Sequence, residues 1–133
     1  MVSVRPAVNR VRATVLQLRT VAASVALPGL DDSESVLTVT ASVAKGGVLE
    51  YLPAPMVVAD EARHTTVIEV DLAASAALVL RDEIILGRHG ERGGACRTRL
   101  CVDYDGRPLL RHDVCSSRRS PRTAWSCAVC SPA

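Results

Sequence analysis

Aromatic side chains are almost missing from this 133-residue chain, which has no Phe, one Trp and two Tyr. Apolar residues still make up 48% of it. Burial therefore falls to Val, Ala and Leu, and any core is assembled from many small contributions without ring anchors. Apolar runs long enough to cross a bilayer are also lacking, so no helical membrane span is expected. The first residues carry Arg5, Arg10 and Arg12 but not the apolar block of a secretory signal. A cytoplasmic location is the expectation. No G-x-S-x-G elbow, no phosphate loop ending in GKS or GKT and no H-E-x-x-H pair occurs. Without a visible nucleophile–base set or cofactor motif, catalysis is not expected, nor is a permanently bound cofactor.

Acids are absent from both ends. Residues 1–20 hold four arginines and residues 116–133 hold three, with no Asp or Glu in either segment. Setting these seven cations aside turns the formal net charge of +2 into about −5 for residues 21–115. A mildly acidic body with few aromatics argues against nucleic acid, whose binders gather Lys and Arg on one face and add stacking rings. Five cysteines, an odd number without a secretory signal, do not make a disulfide framework. Free thiols or a metal site remain.

What the chain does have is alternation with period two. Leu37, Val39, Ala41 and Val43 face one way and Thr38, Thr40 and Ser42 the other, the pattern of a half-buried strand. KGG (45–47) is then expected to turn this strand into VLEYL (48–52) as a hairpin, which Pro53 and Pro55 end. HTTVIEVD (64–71) and AALVLRDEII (76–85) read as two further strands, and DLAASAAL (71–78) between them as a loop too short for a helix. The clearest hairpin comes late. Cys96, Thr98, Leu100, Val102 and Tyr104 share one face, Asp105-Gly106 supplies a type I′ turn, and 107–114 returns as the partner strand. The fold class is all-β, with a β domain over 1–115 and an irregular, disordered tail over 116–133.

Candidate chemistry concentrates in RDEIILGRHG (81–90), where Asp82, Glu83 and His89 lie within eight residues. Alternation puts Arg81 and Glu83 on one face and Leu80, Asp82 and Ile84 on the other, so the two acids cannot both line one site in a regular strand. GRHGERGG (87–94) leads into a strand and lacks the helix N-terminus that completes a phosphate cradle. It reads as a mobile connection. His64, His89 and His112 are dispersed, and each alone reads as an ordinary surface histidine. Cys127 and Cys130 have the spacing of half a zinc site, but a second pair is absent. A small zinc-binding β module built on them, with other thiols, is the alternative reading.

Four stretches in order carry a resemblance: RTVAASVALPG (19–29), EYLPAPMVVADEARH (50–64), ALVLRDEIILGRHGE (77–91) and RLCVDYDGRPLLRHDV (99–114). Together they resemble the urease accessory protein UreD (UreH) family in its actinobacterial form, over roughly 18–114. The resemblance implies an all-β fold of stacked, coiled, antiparallel and mixed sheets. It implies a non-enzymatic scaffold that binds urease apoprotein and recruits other accessory proteins, including a nickel-carrying GTPase. Nickel in transit is its cargo, and an internal passage is implied to conduct it. A conduit needs oxygens that hold the ion weakly, since thiolates or several imidazoles would trap nickel. Asp60, Glu61, Asp82 and Glu83 fit by type, with His64 in support and Glu83 the foremost of them. Arg88 and His89, at the family's strand-ending turn, are expected at a partner interface.

Leu80 stands where the family commonly has Trp, and Ala54 where an acid is common. Family members are also longer, so the chain reads as a partial one, its opening as a late or alternative start, and its tail beyond Val114 as out of frame. A coil cut in mid-course should leave unpaired strand edges, poor solubility and weak activity, or a fragment without function.

Overall fold

The structure is a computed structural model and describes residues 14–117. Over them the chain forms ten strands and no helix. Nine of the strands wind into three stacked coils. The first coil holds β1 (Val15–Leu18), β2 (Ser24–Ala26) and β3 (Ser35–Val43). The second holds β4 (Val48–Tyr51), β5 (Met56–Val58) and β6 (Arg63–Leu72), and the third β7 (Ala77–Leu80), β8 (Ile84–Leu86) and β9 (Ala95–Tyr104). Strands in equivalent positions stack in parallel, giving sheets in the order β1-β4-β7, β2-β5-β8 and β3-β6-β9. A parallel pair needs a long crossover. Here the other two sides of the coil provide it in place of a helix. β10 (Arg107–Ser117) departs from this pattern and folds back antiparallel on β9.

Stacking brings like residues together. Val15, Val48 and Ala77 align, and next to them Leu16, Leu49 and Leu78 form an apolar column. On the long side, Val39, Ile68 and Leu100 align, as do Ala41, Val70 and Val102. One coil cannot bury its own inner face, so the core exists only once coils are stacked. It has two parts. Ala26, Val58, Ala59, Ala62 and Cys96 form one, and Ile68, Val70, Leu72 and Val102 the other.

The all-β class and the late hairpin stand. Asp105 and Gly106 have φ of 49° and 72°, as a type I′ turn requires. Two pairings differ from expectation. KGG does turn the chain, with Gly47 N–H donating to Ala44 C=O at 2.9 Å, but β4 leaves for another sheet and β3 pairs with β6. The turn is a corner of the coil, because β3 and β4 both face its interior. The segment 76–85 is likewise two strands. The chain bends at 81–83, where Arg81 N–H donates to Tyr51 C=O at 3.1 Å and Glu83 C=O accepts from Met56 N–H at 2.9 Å.

Candidate functional site

A polar belt crosses the interior between the two apolar clusters, built by the starts of the long strands. Ser35, His64 and Cys96 lie side by side, and two residues further on so do Leu37, Thr66 and Thr98. Because side chains alternate along a strand, both rows point into the coil. His64 and Thr66 are each only 3% exposed. A buried imidazole needs partners at both nitrogens. His64 Nδ1 lies 2.8 Å from Ser35 Oγ, and Nε2 lies 3.0 Å from Thr66 Oγ1. Asp82 enters the belt from the 81–83 corner, its Oδ2 accepting from Thr98 Oγ1 at 3.2 Å. On the opposite face of the sheet Glu34, just before β3, accepts a hydrogen bond from Thr65.

The protonation of these groups follows from their surroundings. Burial raises the Asp82 carboxyl above its ordinary value, opposed by the Thr98 hydrogen bond and the nearby His64. Burial lowers His64, opposed by Asp82 and Glu34, so the ring is neutral at pH 7. Burial, with Asp82 adding to it, pushes the Cys96 thiol up to about 11. The protonated thiol is not the soft ligand that a thiolate is. The belt thus offers hydroxyls, one carboxyl and one neutral imidazole. Among the described residues, no group of three or more His, Cys, Asp or Glu is arranged to hold a metal ion.

The residues singled out in the sequence separate into three places. Asp82 and His64 are inside, close enough for each to shift the other's protonation. Glu83 faces outward, its side chain 49% exposed and 4.0 Å from Arg81. The burial alternation expected through 80–84 is therefore observed, with Asp82 as the inner acid and Glu83 as the outer one. Asp60 and Glu61 form a surface corner between β5 and β6. There Glu61 adopts φ 62°, and Asp60 Oδ1 accepts from the Glu61 N–H at 3.1 Å.

Arg88 and His89 stack beside that corner in the loop before β9. Arg88 Nε and backbone N–H donate to the two Glu91 oxygens at 2.8 and 2.9 Å, and Glu91 also accepts from Asp60 N–H at 3.2 Å. These bonds hold the Glu91 carboxyl down at about 2. The loop read as a mobile connection is thus tied to the coil below, while His89 is exposed at its tip. Gly94 packs directly on the 59–62 corner. Ser35, Thr66 and Thr98 were not singled out from sequence. Their signal lay in the register between coils, where each falls beside His64 or beside the other threonine. Cys127 and Cys130 lie outside the described residues.

Fold and interior define a class: a coiled β protein that carries its polar groups across the inside of the coil. The UreD urease accessory protein family model matches residues 7–130, and the chain belongs to that family. It is similar to urease accessory protein UreD of Frankia alni, 56% identical over 68% of this chain and 30% of the relative. The Frankia casuarinae UreD is 46% identical over 74% of this chain and 34% of its own length. UreD 3 of Streptomyces griseus is 46% identical over 75% and 40%. The chain thus spans about a third of the length of these relatives. No solved structure matches it. The family match also runs past both ends of the stretch that carried the resemblance in the sequence. No helix among the described residues is long and apolar enough to cross a membrane.

Proposed function

We propose that this chain is part of a non-enzymatic cytoplasmic scaffold for urease maturation, which binds urease apoprotein and other accessory proteins and passes nickel inward. The observation that supports it most is the half-buried carboxyl of Asp82 in a belt of hydroxyls beside a neutral imidazole. Such groups replace water around a divalent cation without fixing it, whereas a set of thiolates or clustered histidines would retain it. The belt is closed by hydrogen bonds in this structure. Passage therefore requires Ser35, Thr66 and Thr98 to exchange their present partners for the ion. Asp82 supplies the negative charge, and its elevated pKa lets it release the ion readily as it takes a proton. Glu83 lies outside this route and serves the surface.

The test is urease activation in a host lacking its own UreD, with this chain supplied beside the urease subunits and the remaining accessory proteins. Asp82→Ala is expected to lower nickel content and activity of the recovered urease at least tenfold, with urease still co-purifying, while Glu83→Ala leaves both unchanged. Normal activation by Asp82→Ala would sink the passage. Failure of the unaltered chain to co-purify with urease would instead favour the fragment reading.

A further inference from the structure

Half of the large apolar side chains left exposed among the described residues fall in one short stretch of the first coil, residues 15–30. Val21 and Leu30 are fully exposed, and Val25 and Leu27 are 50% and 56% exposed. A contiguous apolar patch of this kind marks a contact surface. The strand at its centre, β2, is the outer strand of its sheet among the described residues. Ser24 N–H donates to Pro55 C=O at 3.1 Å and Ala26 C=O accepts from Ala59 N–H at 3.0 Å, so both residues bond to the second coil. Between them Val25 turns its N–H and C=O the other way, as an edge strand open to a new partner does. No charge stands in residues 20–30, and the stretch is bracketed by Arg19 and Asp31. Arg19 is paired with Glu50 at 3.2 Å yet its side chain is 45% exposed. Asp31 is exposed and has no ion pair among the described residues.

The stretch is complementary to itself. Rotation about a two-fold axis through Val25 lays it antiparallel on its own copy, with Ser24 opposite Ala26 and Val25 opposite Val25. The same rotation brings the corner with Arg19 and Val21 of one copy against the loop with Leu27, Leu30 and Asp31 of the other. Opposite charges then meet at both ends of an uncharged seam. The shape of the coil end selects this axis too. A coil climbs one strand spacing, about 4.8 Å, over its three sides. β1 is therefore the lowest side of the first coil and β3 the highest, with β2 between them. Rotation about β2 sets the low side of each copy under the high side of the other, so that β1 runs along the partner copy's β3. A head-to-tail stack is blocked, because its β3 would need the outer edge of β9, which β10 occupies. We propose that two copies of this chain associate through their first coils as a closed, isologous dimer centred on Val25, burying Val21, Leu27 and Leu30 and pairing Arg19 with Asp31 of the other copy. A foreign partner needs no such match between the two ends of one stretch. The dimer stands apart from the nickel route, whose polar groups lie inside the coil.

Sedimentation equilibrium of the whole chain, under reducing conditions, should show monomer and dimer in the micromolar range and no larger species. Leu30 is fully exposed in a single copy, so Leu30→Asp should weaken the dimer about tenfold without moving the monomer's circular dichroism or urea midpoint. Leu109→Asp, at the other end of the coil, should leave association unchanged. Val25→Pro removes an outward N–H and no bond to the second coil, and should weaken the dimer to a similar degree. Arg19→Asp and Asp31→Arg should each weaken it about fivefold, and the two together should restore it to within about twofold. Amide exchange at Val25 should slow as the protein concentration rises. The proposal fails if the chain stays monomeric, if Leu30→Asp leaves association intact, or if the exchanged charges restore nothing. It fails equally if Val25 is protected to the same degree at every concentration, which would place the cover within one chain. Protection that appears only when urease subunits are added would overturn it as well and assign the patch to them.

Discussion

Thr98→Val tests whether the belt is a set of coupled groups or a row of independent polar side chains. The substitution keeps the shape and removes one hydroxyl, the donor to Asp82 at 3.2 Å. A half-buried carboxylate then loses a partner, which costs about 1–3 kcal/mol at neutral pH. The Thr98 bond also holds the Asp82 carboxyl down against burial. Without it the carboxyl rises further, so the cost of Thr98→Val should shrink as the pH falls and the proton returns. In an Asp82→Leu background the hydroxyl has no carboxylate to serve, and the same change should cost less than about 1 kcal/mol. The coupling in the resulting double-mutant cycle is expected at about 1–2 kcal/mol, within the usual range for residues in contact. Urea unfolding followed by circular dichroism at pH 5 and pH 8 measures all four proteins. Equal costs of Thr98→Val in both backgrounds and at both pH values would refute the coupling, and with it the case that Asp82 belongs to the interior.

Three further outcomes follow from the same geometry. His64 has its folded pKa below 6.5, so it contributes stability that is complete above pH 6.5 and is lost as the pH falls through the folded value; His64→Leu should flatten that part of the pH–stability curve. Asp82 works in the opposite sense: its raised value makes stability decline as the pH rises from 3.8 through the folded pKa, and Asp82→Asn should remove that decline. Gly94→Ala places a Cβ 2.1 Å from Ala62 O and 2.6 Å from Ala59 O, both backbone atoms that cannot swing aside, so a loss of more than about 2 kcal/mol in urea unfolding is expected.

Strand positions were legible because alternation is a local signal. The inner faces of β3 and β9 and the Asp105-Gly106 turn all follow from residues within ten positions of each other. Pairing was not, because partners in this fold lie about one coil apart: Val15 meets Val48, and Val48 meets Ala77. KGG looked like a hairpin turn since a corner and a hairpin use the same small residues, and only the neighbour across the sheet distinguishes them. The missing clue was a weak repeat. VLQL, VLEY and ALVL stand in one register, and that spacing would have predicted both the coils and the break at 81–83. The acids illustrate the same limit. Alternation separated Asp82 from Glu83, but nothing local says which face is inside. That is decided by Thr98, sixteen residues away, whose row is set by Thr66 and Leu37 in the coils below.

The belt also explains why stacking alone would not fix the structure. Most inner rows are built of Val, Leu, Ile and Ala, which are interchangeable enough that a strand slipped by two residues would still bury apolar groups. His64 does not tolerate such a slip. Moving β6 by two residues against β3 would take its imidazole away from Ser35 and place it beside Leu37 or beyond the strand, leaving a buried nitrogen without a partner. The same slip against β9 would separate Thr66 from Thr98. An unmade buried hydrogen bond costs about 1–3 kcal/mol, more than one apolar exchange between similar side chains saves. The proposed route for a cation and a lock on register thus make the same demand: polar groups held inside the coil at one level, with apolar layers on either side of them.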